Sequence, residues 1–160
     1  MTDDTAELPT TAADPGLSRL ECLVGTWEWR GRSQTDTFEV TGHSRVEWLA
    51  GNFFLVERGE LIAGGQANHS LAVIAAGTGG GGGGACRAHY FDSDGTADVY
   101  ELDVHDSVVT IDWRHYRFRG TLSEDGQVVA GTWEQSPDGT TWRYWYDLTM
   151  TRQGRVGGAA

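Results

Sequence analysis

The 160-residue chain contains no lysine: its twelve basic residues are all arginines, set against 23 aspartates and glutamates. Without a primary amine on any side chain, Schiff-base catalysis by a lysine is excluded. The net charge of −11 works against phosphate backbones and anionic lipid, so neither nucleic acid nor a membrane is an expected partner. Cysteine is nearly as scarce. Cys22 and Cys86 stand far apart with no Cys-x-x-Cys spacing, which indicates neither a zinc site nor a disulfide framework and fits a reduced, cytoplasmic protein. The histidines at 43, 69, 89, 105 and 115 lack ligand spacing, so no metal is expected. No apolar run approaches the roughly 18 residues of a membrane span, and the acidic Met1-Thr2-Asp3-Asp4 start is unlike a signal peptide. Neither a Gly-x-Ser-x-Gly elbow nor a His-Glu-x-x-His helix occurs, and no motif demands an enzyme.

What the chain has in quantity is tryptophan, seven residues of it, beside five tyrosines. Such a composition supplies large rings to pack or a flat surface to bind. A chain of this length buries one core and forms one domain. Residues 1–14 are polar, acidic and punctuated by Pro9, and are read as a disordered tail; 154–160 is read as a second one. The domain is placed at 15–153. It opens with Asp14 as N-cap, Pro15 at the first helical position, and Leu17, Leu20, Leu23 and Val24 on one face of a short amphipathic helix that ends at Gly25.

From Thr26 the apolar period becomes two. Trp27 and Trp29 alternate with Glu28 and Arg30, and Val109, Ile111 and Trp113 with Thr110 and Asp112. Strands are predicted over 26–31, 37–48, 53–62, 69–76, 86–92, 97–104, 108–118, 128–135 and 141–152, with the second or seventh bent in two. Asp-Gly pairs at 94–95, 125–126 and 138–139 supply tight-turn chemistry between successive runs. The fold class is therefore all-β: a single antiparallel up-and-down barrel of about nine or ten strands with one short N-terminal helix, closed because closure removes exposed edges. The glycine run at 77–84 precedes a strand instead of a helix, so it reads as a surface linker and not a phosphate cradle. Asp92-Ser93-Asp94-Gly95 reads as a hairpin turn, since a calcium loop beginning there would need glycine and glutamate where Ala97 and Asp103 stand.

Leu23-Val24-Gly25-Thr26-Trp27 resembles the opening of the calycin superfamily, whose lipocalin members begin their first strand with Gly-x-Trp. The run of motifs from Leu23 through Glu47-Trp48-Leu49-Ala50-Gly51, His89-Tyr90-Phe91-Asp92 and Asp138-Gly139 to Arg152 is similar to small bacterial lipocalin-like proteins. The resemblance implies a lipocalin-like barrel with Trp27 packed across its closed end. Nitrobindins, more distantly similar, share that opening and bind haem through a late histidine. The last histidine here is His115, so haem, like any other cofactor, is not expected.

A barrel of this size either fills with side chains or holds one small ligand. Trp29, Trp113, Trp142 and Tyr144 lie in inward-looking phases and serve either as packing or as contacts for a flat apolar guest. His89, mid-strand beside Tyr90, is either a satisfied structural histidine or a lumen group able to orient a carbonyl or act as acid or base. Glu47 and Arg58 form either a surface ion pair or a paired charge inside the barrel, and Tyr100 adds a hydroxyl. The first expectation is binding of a small apolar or aromatic molecule in the lumen, contacted by Trp29, Glu47, Arg58, His89, Tyr100, Trp113, Trp142 and Tyr144. Two alternatives stand beside it: a cyclase- or isomerase-type enzyme using His89 or Glu47 as acid or base, and a structural domain with a filled lumen. The oligomeric state is left open.

Overall fold

The computed structural model describes residues 14–77 and 84–154. Most of the two tails and residues 78–83 of the glycine run lie outside the described residues. Ten strands follow one another: β1 (Gly25–Arg32), β2 (Glu39–Trp48), β3 (Leu55–Ala63), β4 (Gln66–Ala75), β5 (Cys86–Asp92), β6 (Ala97–His105), β7 (Val108–Trp113), β8 (Tyr116–Leu122), β9 (Val128–Gln135) and β10 (Arg143–Gln153). Each is antiparallel to the next, and β1 pairs with β10 to close the barrel.

Turn chemistry sets the strand boundaries. Gly95, Gly126 and Gly139 take φ of 87°, 70° and 74°, but their preceding aspartates do not share that conformation. In these turns carboxylates work through side chains: Asp92 Oδ1 accepts the Asp94 and Thr96 N–H groups, and Asp138 Oδ1 those of Thr140 and Thr141. Gly64-Gly65 and Asp106-Ser107 are the two-residue turns with positive φ at both positions. The run expected at 108–118 is two strands, because Trp113 pairs with Tyr116 across Arg114, whose φ is 50°.

The N-terminal element is shorter and tighter than an α-helix: a 3₁₀ helix over Ser18–Leu23. Leu17, Leu20 and Leu23 recur every third residue, which matches three residues per turn, and six residues offer little to offset α-helix nucleation. Asp14 does not cap it; its carboxylate accepts the Gly16 N–H at 2.7 Å. Leu17 and Leu20 are fully buried against the end of the barrel that β1 enters.

That end is packed solid. Trp27 is 3% exposed and donates its indole N–H to Leu23 O at 2.8 Å. The Arg152 guanidinium lies 4.3 Å from the Trp27 ring centre and donates to Cys22 O at 2.7 Å, to Gly126 O at 3.0 Å and to Val24 O. Three carbonyl dipoles and a ring face thus satisfy a cation inside the wall without a carboxylate. Further round, Gly120 and Gly131 pair across β8 and β9 with the Phe118 ring over both, a position that leaves no room for a Cβ.

Trp27→Ala is expected to lower stability by about 3–5 kcal/mol as a large-to-small core change. Thermal unfolding monitored by circular dichroism checks it, with Leu49→Ala, an exposed position, expected to be nearly neutral.

Candidate functional site

In a closed wall every strand residue faces in or out, and the register divides them without ambiguity. The inner faces of β2 to β5 carry small residues: Gly42, Ser44, Gly59, Ser70, Ala72 and Ala88. The opposite inner faces carry rings, among them Tyr100, Trp113, Tyr116, Phe118, Trp133 and Tyr146. Near the 3₁₀ helix, inner side chains such as Leu55, Ile74, Cys86 and Val109 are buried to 2% exposure or less. Toward the other end, Trp29, Tyr90, Tyr100, Trp113, Tyr116 and Trp133 are only half-buried. An inner-face side chain of a closed barrel meets a water-sized sphere only through internal space or the mouth. Ser44, Ala72 and Ala88 of the small wall are buried to 2% exposure or less, so the accessible inner surface of the mouth half lies mainly on the rings.

The rings form a continuous arc. Tyr90, Tyr100 and Trp113 make a triangle with centroids 5.2, 6.1 and 6.1 Å apart, and Trp113 continues to Tyr116 at 6.3 Å and Tyr116 to Trp145 at 5.2 Å. From the β1–β2 connection Phe38 packs on Trp145 at 5.3 Å and Tyr146 at 5.0 Å. Two rings of the triangle are held by carboxyl groups, and the third lies beside one. Tyr90 donates to Asp92 at 3.3 Å and the Trp113 indole N–H to Asp98 at 2.5 Å, while Tyr100 neighbours Glu57.

Glu57 is the chemically distinctive member. It follows Leu55 on the inner face of β3, faces Ala72 across the β3–β4 pair, and has the hydroxyls of Ser44 and Tyr100 as polar neighbours. Burial raises its carboxyl pKa against the opposing pull of those hydroxyls, favouring the uncharged acid. Burial also pushes Tyr100 well above the ordinary phenol value, with the adjacent Glu57 adding to the shift, and raises Tyr90 to about 12. Two further inner-face donors, the indole N–H groups of Trp29 and Trp133, have no hydrogen-bond partner.

Of the side chains singled out from sequence, Trp29, Tyr100 and Trp113 face inward, and Tyr100 and Trp113 meet in the triangle. Glu47, Arg58 and His89 face outward. Glu47 lies one position out of phase with Val46 and pairs with Arg45 at 3.2 Å, on the outer surface. Arg58 sits one step beyond Glu57 and is exposed, so no charge pair of Glu47 with Arg58 enters the barrel. His89 points to solvent between Val73 and Val99, because its neighbours Ala88 and Tyr90 take the inner face. Neither His89 nor Glu47 can reach a guest in the lumen as acid or base.

Trp142 and Tyr144 are displaced by a β-bulge between Tyr144 and Tyr146, which adds one residue and reverses the phase. Trp142 stacks under the Arg117 guanidinium at 4.3 Å, and the Tyr144 hydroxyl accepts the Gln34 N–H at 3.1 Å on the rim. Sequence reasoning missed Glu57 because β3 carries apolar residues in both phases, Leu55 and Leu61 in one, Val56 and Ile62 in the other. Among the described residues no group of His, Cys, Asp and Glu is placed to hold a metal ion, and no helix is long and apolar enough to cross a membrane.

No family model matches the chain, and no curated protein does. The architecture does recur among solved structures. The crystal structure of Rv2717c from M. tuberculosis superposes with a TM-score of 0.60 at 16% identity, covering 89% of this chain and all of that one. This likeness shows the fold, a lipocalin-like closed barrel. Two designed proteins are similar in outline: a de novo fluorescence-activating β-barrel at TM-score 0.44 and 19% identity, covering 81% of this chain and 93% of its own. The other, EF1p2_mFAP2b bound to DFHBI, gives 0.45 at 8% identity, with 84% and 97% covered.

The raised Glu57 pKa fixes the sign of a pH effect. Between the unfolded-chain value of about 4.3 and its folded value, the native state holds a proton that the unfolded chain has lost, so stability falls as pH rises through that window. Glu57→Gln keeps a hydrogen-bonding amide and removes the ionisation. Its melting temperature relative to the parent is expected to climb from pH 5 to pH 8; a constant difference would mean that Glu57 is ordinary in the fold.

Proposed function

We propose that the protein binds a small, flat, largely apolar molecule in the mouth half of the barrel. The observation that carries this reading is the two-sided lumen: an arc of half-buried rings facing a wall of glycine, alanine and serine. Trp29, Tyr90, Tyr100, Trp113, Tyr116 and Trp133 stay half-buried there, whereas the side chains beside the 3₁₀ helix bury one another. Rings supply large apolar contact at little entropic cost, and the few polar groups among them orient a guest.

Titration of intrinsic tryptophan fluorescence with 9-methylanthracene, a three-ring hydrocarbon, tests the reading. Saturable quenching is expected, with Kd raised about tenfold by Trp113→Ala, the equivalent of about 1.4 kcal/mol of lost contact. His89→Ala, on the outer face, is expected to leave it unchanged. Absence of saturation, or equal loss in both variants, would remove the lumen site.

A further inference from the structure

We propose that the preferred guest is a flat organic cation, held over the Tyr90–Tyr100–Trp113 triangle against the Glu57 carboxylate. The inference rests on the lumen reading above and adds the charge of the ligand to it. Two rings of the triangle hand their polar hydrogen to a carboxylate and the third lies beside Glu57, which leaves the ring faces electron-rich. Among the described strand residues two arginines share the inner phase: Arg152, spent on carbonyls and Trp27 at the opposite end, and Arg143, opposite Gln135 at the mouth end of β10 and exposed. At the mouth Arg114 reaches Asp98 from the β7–β8 turn and is otherwise exposed. An anion entering this half would meet the three carboxyl groups of Glu57, Asp92 and Asp98, against Arg143 at the exposed rim. The net charge of −11 adds a field that draws cations toward the molecule and repels anions.

A neutral hydrocarbon fits the rings but does nothing for Glu57, whose carboxyl is enclosed among them. A cation converts that group into a partner: as the guest enters, the Glu57 proton leaves to the buffer, and a carboxylate remains opposite the positive charge. The groups that face Glu57 are Ser44 from β2, Ala72 from β4, Tyr90 from β5 and Tyr100 from β6. The two titratable ones among them, Tyr90 and Tyr100, are raised above the usual phenol value. The affinity of a permanent cation is thus expected to rise from pH 5 to pH 8 through Glu57, while that of a neutral probe stays flat.

The test compares 10-methylacridinium, a permanent cation, with 9-methylanthracene, a neutral molecule of the same outline. At pH 8 the cation is expected to bind at least about tenfold more tightly, a preference that desolvated cation–π and charge contacts readily supply. Glu57→Gln is expected to abolish most of that preference. Glu47→Gln, which removes the same charge from the outer face, is expected to preserve it. Should Glu57→Gln fail to fold, the pH dependence of the unmodified protein carries the test. Equal affinity for the two probes, a preference that survives Glu57→Gln, or equal losses in both variants would overturn the inference and leave the lumen site standing. If neither probe binds, the lumen reading falls and takes this one with it.

Discussion

Pairing between β1 and β10 turns a ten-stranded sheet into a container. Seven residue pairs from Thr26↔Gln153 to Arg32↔Asp147 form that seam, and both strands bring their strongest packing to it. Trp27 on one side and Arg152 on the other meet face to face, with the guanidinium also bound to carbonyls of the incoming chain and of the β8–β9 turn. The seam and the plugged end are thus one structure. Once it is made, no strand edge is left open to a neighbouring chain, and an inward side chain has nowhere else to go.

The mouth half follows a different physical logic from the plugged half. Near the 3₁₀ helix, stability comes from burying Leu17, Leu20, Leu55 and Ile74 almost completely. Toward the mouth the barrel spends its interior on rings left half-buried, set against small buried residues such as Ala72 and Ala88. Enclosing Glu57 is unfavourable in itself, and Ser44 and Tyr100 offset only part of the cost. Departures of this kind from a tightly filled core are characteristic of binding sites.

Much of the fold was legible in the chain because antiparallel strands with one buried face write a period of two. The 128–135 and 86–92 runs coincide with β9 and β5, and the three Asp-Gly turns fall where their glycines take positive φ. The reading stayed open where local chemistry is silent. Arg114-His115 reverses the chain without glycine, proline, asparagine or aspartate, so the sequence left the bend to either the second or the seventh run, and it falls in the seventh. At the site the decisive variable was phase, and phase is lost by one residue. The bulge before Tyr146 sent Trp142 and Tyr144 outward, and β3, apolar on both faces, hid Glu57 beside the more conspicuous Arg58. Trp29, Tyr100 and Trp113 were readable because their strands alternate cleanly.

The asymmetry of the lumen separates two properties that most cavities mix. On the β2–β5 side, a Cβ added at Gly59 would press on Ser70 Oγ at 3.0 Å and Ala72 is already buried, so added bulk is felt at once. On the other side, exchanging Tyr for Phe would retune polarity at constant shape. The two sides of the interior therefore answer to different substitutions, one to bulk and the other to polarity.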